Sequence, residues 1–199
     1  MCIMNKIKFS APIIAIVLIL ASVTGCAPQI DEAAGNVAKN YYTYAIVRQD
    51  MVTANSDCAF DKVALTEELY TVNAKDEGIT LDEYIKNLAE TRKITADINS
   101  VADYLEALSM YYIDKNIDSM GAEYFSPNAN VVEFKTASSS EIQTTYDSLM
   151  SKYSLDGVDF SKYLNFADIT EGMTVTVGEN DNNTTVLLVK INGNWKFLA

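Results

Sequence analysis

The chain has 199 residues, 49% of them hydrophobic and 21% charged, which suits one folded domain and argues against wholesale disorder. Its 27 acidic side chains outnumber 15 basic ones, for a formal net charge of −12, so a nucleic-acid partner, whose phosphates are bound by Lys and Arg, is not expected. It holds no histidine and three cysteines, which removes Ser–His and Cys–His nucleophile pairs and every zinc site built on imidazole.

Lys6 and Lys8 open the chain with positive charge, and Ala11–Ala21 follows as an uncharged apolar run. Val23-Thr24-Gly25-Cys26 then supplies small residues. Positive, apolar, small is the order of a secretory signal peptide. The largely apolar stretch from Phe9 to Val23 is 15 residues, short of the about 20 that cross a bilayer as a helix. A signal core therefore fits better than a membrane anchor. Loss of Lys6 and Lys8 with the leader leaves 13 basic against 27 acidic side chains, a net charge of −14.

The tetrad Val23-Thr24-Gly25-Cys26 resembles the lipobox of bacterial lipoproteins. In that family the cysteine thiol receives a diacylglycerol, and a dedicated peptidase cuts just before it. The resemblance implies lipidation at Cys26 and a protein held at the extracytoplasmic face of the bacterial cell membrane through that lipid. Two acyl chains anchor stably where one is marginal, since each buried CH₂ contributes about 0.8 kcal/mol. Residues 1–25 are thus read as the signal peptide, 26–33 as a lipid-anchored tether and 34–199 as a single α+β domain. Only Cys58 remains inside that domain, so no intrachain disulfide framework is expected.

Helical spacing of Ala34, Val37, Tyr41, Ala45 and Val52 predicts a first helix over about Glu32–Asn55, with Arg48 interrupting its stripe. A second covers Asp61–Val72, and Lys75-Asp76-Glu77-Gly78 reads as a loop. Thr80-Leu81-Asp82-Glu83 is a capping box that opens a helix with Leu81, Tyr84, Ile85 and Leu88 on one face. Ile94, Ile98, Val101, Leu105, Leu108 and Tyr112 form one apolar stripe of a following helix, and Gly121 is its expected C-cap. Asn128–Asn130 reads as a turn and Val131–Phe134 as a strand. Ser138-Ser139-Ser140-Glu141 is a second capping box, whose helix turns Ile142, Tyr146, Leu149 and Tyr153 inward. Met173–Val177 and Thr184–Ile191 read as strands joined by a polar loop at Asn180–Asn183. Asn192-Gly193 has the composition of a type I′ hairpin turn, and Asn194–Leu198 closes the sheet. The fold class is α+β, N-terminal helices followed by a C-terminal antiparallel β-meander.

The last hairpin, Val186–Phe197, and the opening helix with Tyr41, Tyr42, Ala45 and Gln49-Asp50 resemble nuclear transport factor 2-like domains of bacterial lipoproteins. That resemblance implies a curved sheet wrapped by helices into a cone with a pocket. Residues 60–120 depart from it, reading as almost wholly helical where the family begins its sheet.

No catalytic constellation stands out, and no catalytic, cofactor-binding or metal-ligating residue is assigned. The 12 tyrosines cluster at Tyr41-Tyr42-Thr43-Tyr44 and Tyr111-Tyr112, where they can line a pocket, though Tyr41 and Tyr112 fall on core stripes. Cys58 has no local basic run to activate it and reads as a buried small hydrophobe. Glu67-Glu68, Asp76-Glu77, Asp82-Glu83 and Asp156 with Asp159 are carboxylate pairs without a calcium-loop or acid–base pattern. The expected role is a non-enzymatic module binding an envelope protein or a small molecule, without a cofactor. The alternative is a small pocket enzyme using carboxylate/tyrosine acid–base chemistry. A two-lobed transport receptor would be larger. Trp195, beside the hairpin turn, is expected to be buried and structural.

Overall fold

The computed structural model describes residues 29–179 and 181–198, so the leader, the lipobox with Cys26, and Asn180 of the polar loop lie outside the described residues. The α+β class stands. The helices are α1 (Glu32–Asn40), α2 (Met51–Ala54), α3 (Lys62–Asp76), α4 (Leu81–Arg92), α5 (Val101–Met120) and α6 (Ser139–Leu155). The strands are β1 (Asn130–Thr136), β2 (Ile169–Glu179), β3 (Asn182–Ile191) and β4 (Asn194–Phe197), antiparallel in the order β1-β2-β3-β4. Glu32–Ala199 is one compact unit.

The two central strands are apolar where they meet. Val175 lies opposite Val186, and Met173 opposite Leu188, which in turn faces Phe197. Val175, Val186 and Leu188 have no solvent exposure. Helix α1 crosses this face and touches all four strands. Its buried residues, Ala34, Gly35, Val37 and Ala38, are small, which lets the helix approach the sheet closely. Tyr41, just past α1, lays its ring 5.0 Å from that of Phe197. Helix α1 therefore covers this face of the sheet.

The opposite sheet face is covered only in part. The side chain of Ile142 on α6 occupies the space a Cβ on Gly172 would need, and Gly172 pairs with fully buried Val189. Beneath α6, Phe160 is fully buried among Phe60, Tyr146 and Tyr153, at ring distances of 4.9, 5.9 and 5.5 Å. Such aromatic pairs contribute about 0.5–1.5 kcal/mol each beyond area burial. The Tyr146 hydroxyl donates to the Leu164 carbonyl at 2.9 Å, which satisfies its buried polar tip. Farther along, Thr174, Thr176 and Thr185 form a polar, open stretch, with the Thr176 and Thr185 hydroxyls 3.1 Å apart.

A separate core holds the helical half together. Ile85, Ala89, Ile98, Val101, Tyr104 and Leu105 are buried in one cluster, with Val63, Tyr70 and Leu88 packed against it.

Both capping boxes form as expected. Thr80 accepts from the Glu83 amide, Ser138 from the Glu141 amide, and each glutamate reaches back to the amide of its cap. The hairpin also forms as expected, with Asn192 and Gly193 at φ 51° and 79°, Ile191 opposite Asn194 and Lys190 opposite Trp195.

Three expectations need correction. The first helix does not run unbroken to Asn55. After Asn40 it widens into a π-helix over Tyr41–Val47, closed by Arg48 N–H donating to Thr43 O five residues back at 3.0 Å. Gln49 then takes the left-handed conformation at φ 52°, and Asp50 caps α2 by accepting from the Thr53 amide. Second, α3 continues through Lys75 and Asp76, and the chain turns only at Glu77-Gly78. Third, Ile94 and Ile98 share no helix with Val101. Lys93 ends α4 in the left-handed conformation, and α5 starts at Val101 with Ser100 as its cap. The two isoleucines reach the same core from an irregular connection.

Trp195 is 7% exposed, with the Lys190 ammonium 5.3 Å from its ring centre. As the sole tryptophan, it should emit blue-shifted, poorly quenched fluorescence that moves red on unfolding. Trp195→Ala should cost about 3–5 kcal/mol, read as a lower midpoint in urea. A readily quenched Trp195, or an unchanged midpoint in the variant, would contradict its burial.

Candidate functional site

The residues singled out by sequence scatter across the fold. Tyr42 is buried in the π-helix, Tyr41 packs on Phe197, and Tyr44 lies under the Arg48 guanidinium, 5.5 Å from the ring centre. That stacking is the contact the Arg48 side chain has in place of a bond at Nε, which is buried without a hydrogen-bond partner. π-Turns often mark functional sites; here the tyrosines are committed to packing and cation–π contact. Tyr112 packs edge-on against Phe125 at 6.0 Å, while Tyr111 carries the Lys115 ammonium over its ring at 5.6 Å.

Cys58 is buried and forms a parallel bridge with Phe197 at the β4 edge, where the Ala59 amide donates to the Phe197 carbonyl at 2.8 Å. Burial raises the pKa of its thiol. That is the opposite of what a reactive cysteine needs.

Of the carboxylate pairs, Asp82-Glu83 has Glu83 occupied by its capping box, and Asp159 caps a 3-10 turn by accepting from Ser161. Asp76 ends α3, with Glu77 as its C-cap. Among the described residues, no group of three or more Cys, Asp or Glu side chains is placed to hold a metal ion.

Glu68 has the partners that sequence reasoning missed. Its carboxylate accepts from the Tyr163 hydroxyl at 2.6 Å and from Lys162 Nζ at 2.9 Å. Those partners stand 94 and 95 residues away, so no local pattern could reveal them. The Tyr163 bond, then the Lys162 bond, lower the Glu68 pKa. Burial, then the bond to Glu68, push Tyr163 up to about 12. A phenol held so firmly protonated is a poor general base at neutral pH, and the trio ties α3 to the turn before β2.

A concavity lies between α5 and the connection after α4. This groove of about 430 Å³ has Ile94, Ala96, Ala107 and Met110 as apolar lining. Asp97, Asp103, Glu106 and Asp114 supply carboxylates, against one cation, Lys93. Its size falls within the roughly 300–1,000 Å³ typical of ligand clefts. Asp103 is partly engaged, accepting from the Asn99 amide at 3.1 Å. The arrangement can take a group that is both cationic and apolar. Sequence reading missed it because the segment at 93–97 was assigned to a helix.

No protein-family model matches the chain, and neither a curated protein nor a solved structure does.

Glu68→Gln should bring Tyr163 down from about 12 toward its ordinary 10, as read by carbon-13 NMR titration of the tyrosine ring. The raised phenol stabilises the fold fully below its unfolded value, and that contribution is lost as pH rises through about 12. The depressed Glu68 works the other way: its contribution is present above the ordinary carboxylate range and is lost on acidification. An unchanged Tyr163 titration in Glu68→Gln would rule out Glu68 as a cause and leave burial with the Asp61 and Glu67 carboxylates.

Proposed function

We propose that this protein is a bacterial lipoprotein, a binding module tethered by lipid on Cys26 to the extracytoplasmic face of the cell membrane. The observation that carries the anchoring is Val23-Thr24-Gly25-Cys26, placed directly after a positive start and an apolar core. Among the described residues no helix is long and apolar enough to cross a membrane, so under this reading the lipid does the holding. The tether from Cys26 is short, which keeps the domain near the bilayer.

Binding is supported by the acidic, apolar-floored groove beside α5. The enzyme alternative draws on one pair of the right chemistry, Glu68 with Tyr163. That pair bridges two elements, and its phenol retains its proton to about pH 12, so we favour the binding role. Helix α1 crossing a four-stranded antiparallel sheet supports the nuclear transport factor 2-like reading. The helices between Lys62 and Met120 stand where that family starts its sheet, which speaks against it.

Cys26→Ser tests the anchor. Cells expressing the full chain and fed radioactive fatty acid should label the unaltered protein and leave the variant unlabelled and unprocessed. Lipid incorporation that persists in Cys26→Ser would overturn the assignment.

A further inference from the structure

Helix α5 has two apolar faces. One, with Val101, Tyr104, Leu105 and Leu108, is packed into the helical core. The other carries Met110, Ile113, Ile117 and Met120 in steps of three, four and three. Met110 is 51% exposed, Ile117 38% and Met120 41%. Alternating three-and-four spacing is the seam along which one α-helix packs on another. The first seam has its partners; the second has solvent. Ten residues of helix span about 15 Å, roughly three turns of a partner.

Charge decides what the partner is. Glu106 and Asp114 stand beside the upper half of the second seam, and that end opens into the acidic groove with Asp97. Lys115 stands around the helix, over Tyr111. A second copy of this chain, packed seam on seam, would bring these carboxylates no cation from α5, whose Lys115 stands on the other side over Tyr111. An anionic lipid surface is repelled by the same carboxylates. An apolar stripe flanked by lysine or arginine fits both features, and the flexible methionine thioethers adapt to an irregular apolar partner.

We propose that this face of α5 docks a basic amphipathic helix of a partner protein, its apolar stripe on Met110–Met120 and its cations against Glu106 and Asp114. The proposal rests on the binding-module reading and names the partner class.

The test uses the full chain in phosphatidylcholine nanodiscs, with empty nanodiscs as the blank. The probes are two synthetic helical peptides of equal length with leucines at three-and-four spacing, one flanked by lysines and one by glutamates. The lysine peptide should bind at least tenfold more tightly, and added salt should weaken it. Met110→Lys and Ile117→Lys should each weaken it tenfold or more while Trp195 fluorescence stays unchanged. Leu155→Lys, an exposed apolar site elsewhere, should have no effect. Equal binding of the two peptides, no binding, or indifference to Met110→Lys and Ile117→Lys overturns the proposal. So does self-association, or recruitment to phosphatidylglycerol vesicles, that Ile117→Lys abolishes. A photo-cross-linking residue at Thr95 or Ile117 in living cells separates the two levels. Adducts with another molecule while the lysine peptide fails to bind remove the helix proposal alone. Absence of any adduct at both positions removes the binding-module reading with it.

Discussion

Strand β3 is apolar on both faces, and that constraint organises the molecule. Val186 and Leu188 point one way, Val189 the other, and none of the three is exposed. A strand of this kind has to be covered twice. Helix α1 covers one side, using Ala34, Gly35 and Ala38 because bulkier residues would hold it away from Val175 and Val186. Helix α6 covers the other at Gly172, where the missing Cβ leaves room for Ile142. Phe160 fills in beneath α6, and its three aromatic neighbours arrive from two stretches of chain, Phe60 from ahead of α3 and Tyr146 and Tyr153 from α6 itself. The sheet is thus sandwiched at its apolar end and left polar at Thr174 and Thr176.

Helices α1 and α6 are spent on the sheet, so the helical half must bury its own core. It does so around Tyr104 and Ile85, both almost wholly inaccessible. It is joined to the opening segment by Val52, which packs against the same cluster, and by the Ser109 hydroxyl donating to the Arg48 carbonyl at 2.8 Å. That carbonyl is available because the π-turn and the left-handed Gln49 end the first helical segment there. Past Ser109 the inner side of α5 meets the 3-10 turn Ala122–Phe125, with Tyr112 packed edge-on against Phe125. The outer side of the helix's second half is therefore left to solvent, although its sequence is as apolar as a packed seam.

What was legible in the sequence is what is decided locally. Capping boxes close within four residues, and the Asn192-Gly193 turn fixes the pairing of Lys190 with Trp195 by itself. The kink at Arg48–Asp50 was only hinted at by an arginine on an apolar stripe, because the hydrophobic period survives a π-turn nearly unchanged. The Ile94–Tyr112 pattern misled for a related reason. Ile94 and Ile98 do enter the same core as Val101, but from a connection whose backbone turns at Lys93. Periodicity reports which residues share a destination, not whether one helix brings them. The groove was lost with that error, since its wall is the segment at 93–97. The second seam of α5 was hidden by the first, because a single-stripe reading assigns everything off the stripe to solvent.

The acidity of the chain takes on meaning once the fold locates it. A net charge of −12 spread evenly would do no more than keep a domain soluble. On α5 the carboxylates lie beside exposed apolar side chains, and the two together are more selective than either alone. Apolar area by itself accepts another copy of the chain or a lipid; carboxylates by themselves accept any cation, weakly and with strong salt dependence. Side by side, they reject the chain's own copy and anionic lipid through charge, and reject small cations for want of apolar area. Under the proposed anchoring this selectivity has a use. A domain on a short tether faces an anionic bilayer at close range, where an apolar seam without flanking acids would be drawn onto the membrane. Glu106 and Asp114 raise the electrostatic cost of that contact and leave the seam open to a cationic partner.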